Sequence, residues 1–512
     1  MRTTVLRRMS ILAILAAIDL APNPAAAQTD VRRLTVDEAV GLALEHNLGV
    51  QVARIDPRVE DLGVAQAEAA WAPTLTSTLQ GSNVDTPNAS FLSGALGPKT
   101  TDERITTNVG VAQTLPWGGS YSVGWDSSRA TTTNIFTNFS PVLRSSLALA
   151  YRQPLLRGFR IDTARQQLEV SRKTREVADV TLRQSIALTA RAVRHAYWDL
   201  VFANASRQVQ QQSLELARNW LRETRARVEI GTTAPIDIVE AEAEVALREE
   251  AVIVAESQIG TAEDRLRALI YDPAAADFWT FRIEPASPPA FTAATVDIDT
   301  AVRQALASRT DLQRTQKGLE TADINLRYFR NQTLPDVTAS IDYGLTGLGG
   351  TEFVRGAGFP GPVIGHTNRG FSQVVGDLFG NDFPSWTASL SVSYPIGPTP
   401  QEAGLARARL QYSQSQATLR NQQLQVTTEI RDAVRHVLTN QWRVETTRVS
   451  RQLAERRLEA EERKFAAGTT TSFFVFQAQR DLAQARNNEL RATLDHTRSV
   501  VDFETVQEAP LR

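Results

Sequence analysis

The side chains that could do chemistry are few in kind. Cysteine is absent and the five histidines, His46, His195, His366, His436 and His496, share no ligand spacing. That removes thiolate nucleophiles, disulfides and the usual zinc sites. Gly356, Gly358 and Gly361 spell part of a dinucleotide fingerprint but lie in a Pro-containing stretch without the strand-turn-helix context that would cradle a pyrophosphate. Carboxylates such as Glu242 and Glu244 recur along helical segments and read as solvated faces, with no nucleophile elbow and no paired acid and base. The chain therefore reads as a non-enzyme with no cofactor and no metal. What remains is a set of residues beside two glycines. Asp237 and Glu240 stand six and nine residues beyond Gly231, and Phe474 and Gln477 stand at the same places beyond Gly468. Acids so placed suit a helix N-terminus and would also line whatever the bend lines, and the two roles are compatible.

These residues need long helices to carry them. Between Gly158 and Pro273 the sequence is polar and Ala-rich, with one punctuation mark at "EIGTTAPIDIVEAEAEV". Beyond it Ile238, Val245, Val252, Ile259 and Leu266 recur every seven residues, with Ala241, Ala255, Ala262 and Leu269 in the interleaved position and Arg248 as the exception. That is a heptad seam. Upstream, roughly 70 residues pass without a stop signal, a rod of about 100 Å if helical. Gly231 can end a helix in the left-handed conformation and Pro235 suits the first turn of the next. The spacing predicts a helical hairpin bent at Gly231.

Residues 1–27 read as a cleaved secretory leader: Arg2, Arg7 and Arg8, then "ILAILAAIDLA", then Ala25 to Ala27. Both methionines, Met1 and Met9, lie inside it. The formal net charge of the 512-residue chain is −2, which argues against nucleic acid as a partner. No apolar run beyond the leader approaches 18 residues, so any passage through a membrane is expected to use strands.

The order of elements is expected to occur twice. "LTVDEAVGLALEHN" opens a helical run to about Pro73, in which Pro57 marks a kink or break. "TLTSTLQ" and the stretch from Arg104 to Pro154 alternate as strands, with a turn at "LPWGGS" around Trp117. Adding 262 maps Ala39, Val40, Ala43, Leu44 and Pro73 onto Ala301, Val302, Ala305, Leu306 and Pro335, a signature of duplication. The second copy has strands at Val337 to Leu345 and Trp386 to Tyr394, separated by a Gly-rich loop from about Gly347 to Pro384. A second long helix then bends at Gly468 in "GTT". There the seam residues Ile238, Ala241 and Val245 map onto Val475, Ala478 and Leu482, while Glu489 and His496 interrupt the later part. The expected division is a leader at 1–27, a first repeat at 28–273, a connector at 274–295 and a second repeat at 296–512.

Four clear strands, plus the pair around Trp117, are too few to close a membrane barrel, for which about eight is the minimum. Other subunits must complete the wall, and four strands from each of three copies would make twelve. The fold class is mainly α with β: long antiparallel helical hairpins plus membrane β-barrel strands contributed to a trimeric barrel. The duplicated order, "LTVDEAVGLALEHN", "QPLLRGF" and the "GTT" bends resemble the TolC-type outer-membrane channel family over nearly the whole mature chain. The resemblance implies a homotrimer in the outer membrane, with its β-barrel continuous with a periplasmic α-barrel. It also implies a periplasmic adaptor (membrane fusion protein) and an inner-membrane transporter as partners, exporting drugs, toxic solutes or, as in type I secretion, proteins.

In that family the second bend is followed by acids at the two places held here by Phe474 and Gln477, so the resemblance implies a tunnel entrance that is less anionic and partly aromatic. Gly231, Asp237, Glu240, Gly468, Phe474 and Gln477 are thus the candidate entrance and adaptor-docking tip. Trp71, Trp386 and Tyr394 fall near strand ends, where an aromatic girdle facing outer-membrane lipid and a buried joint are both open readings. Two other functions fit the sequence less well. A periplasmic adaptor would show one hairpin, and a coiled-coil envelope scaffold would not need strands at matching places in both halves.

Overall fold

A computed structural model of the chain describes residues 31–508 except 91, 92, 95, 287–290, 292, 294 and 295. The leader and part of the expected connector lie outside the described residues. The chain gathers into two compact units, one from residues up to 47, 192–291 and 446–494, the other from 48–191, 292–445 and 495 onward.

In the first unit β1 (Val31–Leu34) pairs in parallel with β6 (Arg282–Pro285). Helix α1 (Val36–His46) begins with a capping box, in which Glu38 N–H donates to Thr35 Oγ1 at 3.3 Å and Thr35 N–H donates to Glu38 Oε2 at 2.8 Å. The unit takes one part of α3 (Thr163–Glu229), all of α4 (Ile236–Ile270), one part of α8 (Pro400–Ala466) and most of α9 (Ser472–Gln507). The absence of Pro and Gly throughout α3 is what lets 67 residues run as one helix. The fully buried Tyr197 of α3 donates its hydroxyl to Leu34 O of β1 at 3.0 Å.

The heptad seam of α4 faces inward, with Ala241, Ala255, Ile259, Ala262 and Leu266 buried. Arg248, its exception, is held by the Glu244 carboxylate. In α9 the mapped residues Val475, Ala478 and Leu482 are buried as well.

The second unit holds α2 (Leu48–Glu68), α5 (Ile298–Ser308), α6 (Thr310–Gln332) and the remaining parts of α3, α8 and α9. Its helical core joins Ala301, Ala305 and Leu312 to Val426, Ile430 and Val434 of α8. Elsewhere along α6 and α8 Gly404 permits a close approach, since a Cβ would stand 2.9 Å from Cδ1 of Phe329. The first helical run breaks at Asn47, which is extended and donates its side-chain amide to Leu269 O at 3.1 Å, whereas Pro57 is carried inside α2 as a buried residue.

This unit also holds one sheet, built from β2 (Thr74–Pro87), β3 (Lys99–Thr114), β4 (Ser120–Thr132), β5 (Phe139–Pro154), β7 (Asp336–Arg355), β8 (Val363–Arg369) and β9 (Pro384–Ser393). The order is β2-β3-β4-β5-β7, all antiparallel, and β8 and β9 share the far edge of β7 at different heights.

The segment expected as a Gly-rich loop from 347 to 384 is structured instead. β7 continues to Arg355, β8 returns, and α7 (Phe371–Gly380) lies against the sheet with Val374 and Leu378 buried. The glycines serve that contact, since a Cβ on Gly347 would stand 2.2 Å from Val374 O and one on Gly349 2.5 Å from Val374 Cγ2.

Candidate functional site at the helical bends

The two bends have the same backbone. Gly231 has φ 78° and Gly468 has φ 71°, and among the described residues neither meets an atom beyond its own chain neighbours within 4 Å of where a Cβ would stand. In the first, Gly231 N–H donates to Val228 O at 3.0 Å and Thr232 N–H to Arg227 O at 2.9 Å. In the second, Gly468 N–H donates to Phe465 O at 3.0 Å and Thr469 N–H to Lys464 O at 3.0 Å. This is the Schellman pattern, which satisfies carbonyls that a helix end would otherwise leave open. Each Thr hydroxyl adds a bond to the same carbonyl, 3.0 Å in both cases. The "GTT" string is therefore a helix stop in both halves.

Just beyond the bends the two hairpins meet. Asp237, in the first turn of α4, is half-buried and accepts a hydrogen bond from Ser472 Oγ of α9 at 3.4 Å. Glu240 is exposed. Phe474 is 49% exposed and sits edge to face with the exposed Phe473, ring centroids 5.6 Å apart. Gln477 is half-buried and donates to Asp481 Oδ1 at 2.8 Å, and Asp481 in turn pairs with Arg457 of α8 at 2.7 Å. The candidate tip thus comprises two acids from one half and an aromatic and an amide from the other.

Behind it lies an apolar cluster of Trp220, Ala241, Leu458, Val475, Phe476, Ala478 and Leu482. Trp220 packs on Phe465 at 4.8 Å and on Phe476 at 5.8 Å, and the Arg227 guanidinium lies 4.8 Å from the Phe465 centroid.

Sequence reasoning missed the residue that joins the hairpins most firmly. Glu244 is not on a solvated face: it is 3% exposed. Its Oε1 pairs with Arg248 at 2.7 Å and its Oε2 accepts from Arg480 of α9 at 2.5 and 3.0 Å. Burial pushes the Glu244 carboxyl up, but the Arg480 and Arg248 hydrogen bonds outweigh it and hold the group below its ordinary range. Glu242, by contrast, is exposed and pairs with Arg225 at 2.6 Å, as a solvated face should. The only sequence signal for Glu244 was Arg248 in a seam position, a cation that needed a buried anion. Glu489, which interrupts the second seam, is likewise paired with Arg451.

The aromatic candidates lie in the second unit. Trp386 is 75% exposed and opposite Tyr343, and Tyr394 is 58% exposed, one residue beyond β9. Trp71 is half-buried at the foot of β2, its carbonyl accepting from Gln113 Nε2 at 2.8 Å, and its indole N–H is enclosed without a hydrogen-bond partner. Trp71 is thus more enclosed than Trp386 and Tyr394. Among the described residues no cluster of His, Asp and Glu is placed to hold a metal, and no helix is long and apolar enough to cross a membrane.

Paired, bent helical hairpins together with an antiparallel sheet match, by the family comparison, a class of non-enzymatic transport channels. The profile of the outer membrane efflux protein family matches residues 117–270 and 301–506, and the chain belongs to that family. Solved structures agree in fold. CusC aligns with TM-score 0.66 at 12% identity, covering 92% of each chain. The outer membrane channel CmeC of Campylobacter jejuni aligns with TM-score 0.64 at 14% identity, covering 92% of this chain and 85% of its own. The outer membrane channel MtrE of Neisseria gonorrhoeae, solved in an open state, aligns with TM-score 0.61 at 15% identity, covering 92% of this chain and 88% of its own. No curated protein sequence matches the chain.

Proposed function

We propose that this protein is the outer-membrane duct of a tripartite export system, a passive conduit for small toxic solutes, drugs or proteins. Three copies close one wall. Their sheets sit in the outer membrane, their helical hairpins stand in the periplasm, and the bends at Gly231 and Gly468 face a periplasmic adaptor and an inner-membrane transporter. The duplicated halves, each with its own hairpin, supply two alternating bends per copy and six per trimer.

One observation carries this reading. A sheet whose two outer strands are exposed throughout and, among the described residues, each leave one edge unpaired beside an apolar face is poorly suited to water, and the same chain builds two polar hairpins with identical stops. The family to which the chain belongs supports it. An adaptor would carry a single hairpin, and this chain has two.

The test is fractionation of native cells. The expected result is a heat-modifiable trimer in the outer-membrane fraction, together with raised sensitivity to toxic solutes when the gene is deleted. A soluble monomer in the periplasm would sink the proposal.

A further inference from the structure

The pair of strands around Trp117 is not an ornament on the sheet. β3 and β4 lie between β2 and β5, paired along their lengths with both neighbours, so that β2 touches β5 nowhere in the sheet order. Across the sheet each copy presents six strand positions: β2, β3, β4, β5, β7 and the shared place of β8 and β9.

The register makes the pair continuous with the rest. One row of directly opposed residues reads Leu75, Val111, Val123, Leu149, Tyr343, Trp386, apolar at all six places. The row one residue along, on the opposite face, reads Thr76, Gly110, Gly124, Ala148, Gly344, Ser385, without a large apolar side chain. The inserted strands thus carry the same apolar face as the flanking ones, in phase with them. A flap in water would have no reason to keep that phase.

Nor does the pair stop short. Its turn reaches the foot of the sheet, where Leu115 N–H donates to Gly119 O at 2.7 Å and Trp117 Nε1 to Tyr151 Oη at 3.3 Å. Gly118 (φ 90°) rests on the strand-to-helix joint, since a Cβ there would stand 2.9 Å from Gly158 O and 2.7 Å from Arg165 Nη2. With 16 and 13 residues, both strands exceed the roughly 9–11 needed to cross a bilayer core.

We infer that the wall of the assembled duct has eighteen strands, six from each of three copies, closed by β9 of one copy against β2 of the next. This rests on the trimeric channel proposed above. An even count per copy leaves β2 and β9 running in opposite directions, so every joint closes antiparallel, as the rest of the sheet does. At about 4.8 Å between strands and about 40° tilt, eighteen strands give a cylinder about 36 Å across between backbones, against about 24 Å for twelve. The outer section of the duct therefore admits a bulkier cargo, such as a folded or partly folded polypeptide, than a twelve-stranded wall would.

The absence of cysteine makes the test direct. Single variants Val111→Cys and Val123→Cys on the apolar face, and Asn108→Cys and Ser122→Cys on the polar face, are made in the full chain, with Ile341→Cys and Ser340→Cys in β7 as references. Native trimers in lipid discs are treated with a water-soluble maleimide. The polar-face positions are expected to react at least ~10-fold faster than the apolar ones in both strand pairs, as lumen and lipid faces should. An end-on image reconstruction of the unmodified trimer is expected to show eighteen strands. Alternation in β7 with equal reactivity on both faces of β3 and β4, or a wall of twelve strands, would overturn the inference and leave the channel reading standing. Loss of alternation in β7 as well would overturn both.

Discussion

Glu244 and Arg480 are 236 residues apart in sequence, yet the Arg480 guanidinium donates to the Glu244 carboxylate at 2.5 Å. The carboxylate is buried, and Arg248 on its own helix occupies its other oxygen. A single anion therefore ties α4 of the first half to α9 of the second, a few turns from the bends that we propose face the adaptor.

Removing that anion strands two cations. Arg248 is only 12% exposed and would be left in a nearly closed site, while Arg480, at 47%, can turn to water. Breaking a fully buried pair costs about 3–5 kcal/mol. The exposure of Arg480 reduces that, so Glu244→Ala should destabilise the hairpin region by about 2 kcal/mol. Urea unfolding of the variant trimer, combined with Arg480→Ala in a double-mutant cycle, measures this. Strictly additive effects of the two substitutions would show that the pair contributes nothing jointly.

Acid should loosen the same joint. The folded-state Glu244 pKa lies below its ordinary value near 4.5, so its stabilisation is complete above the unfolded pKa and is lost as pH falls through the lower folded value. Amide exchange in α4 around Ala241 and in α9 around Ala478 is expected to quicken, after correction for intrinsic rates, only below about pH 4.5. Glu244→Gln should abolish that pH step and leave exchange fast throughout. An acid response that persists unchanged in Glu244→Gln would assign it to another carboxylate.

The bends should be sensitive to backbone chemistry rather than to crowding. At Gly231 and Gly468 nothing would meet an added Cβ, and only the positive φ penalises a side chain. Gly231→Ala and Gly468→Ala should each cost about 1–2 kcal/mol of local stability, and Gly468→Asn less, because Asn tolerates the left-handed region. Exchange at the Thr232 and Thr469 amides, each bonded to a carbonyl five residues back, is the appropriate readout. Equal effects of Ala and Asn would point to packing instead.

Much of this was legible in the sequence, for reasons specific to each element. Both stops could be read because their cause is local: Gly with positive φ followed by Thr within one turn. The seam of α4 could be read because a seven-residue period fixes a face, and the buried Ala255, Ile259 and Leu266 lie on it. What the period does not say is which helix covers that face, so Glu244, whose second arginine lies in the other half, reads in the sequence as a solvated residue. The alternation of Val109 and Val111 with Val123 and Trp125 identified strands, but their place between β2 and β5 depends on pairings such as Val123 with Leu149 that no local pattern contains. Gly347 and Gly349 looked like loop because their purpose, the approach of α7, lies some 25 residues along the chain.

The entrance should be weakly selective among ions. The bend acids of the first half are Asp237, half-buried and bonded by Ser472, and the exposed Glu240, whereas the second half offers Phe474 and Gln477. Three copies of the proposed duct would therefore place fewer acids at the tip than a pattern with acids at all four positions would. The double variant Phe474→Asp, Gln477→Asp should raise the cation-to-anion permeability ratio of single channels by several-fold through added field at the constriction. Strong cation selectivity of the unmodified protein, lost in Phe474→Ala or Gln477→Ala, would contradict this account of the tip.

The two faces of β9 should differ sharply in what they tolerate. Trp386, Ala388, Leu390 and Val392 share the face that continues the apolar rows through β7, opposite Tyr343, Ile341, Ala339 and Val337, while Thr387, Ser389 and Ser391 share the other. Trp386 and Tyr394 bracket the apolar stretch eight residues apart, about 26 Å along a strand, which is close to the height of a membrane barrel's apolar band of about 25 Å. Leu390 sits midway, where an arginine facing lipid costs about 2–4 kcal/mol, and Leu390→Arg should lower the yield of heat-modifiable trimer steeply. Thr387→Arg, directed to the lumen of the proposed duct, should assemble normally and alter conductance instead. If both variants assembled equally well, the exposed apolar face of β9 would not be meeting lipid, and the sheet would have to find its cover elsewhere.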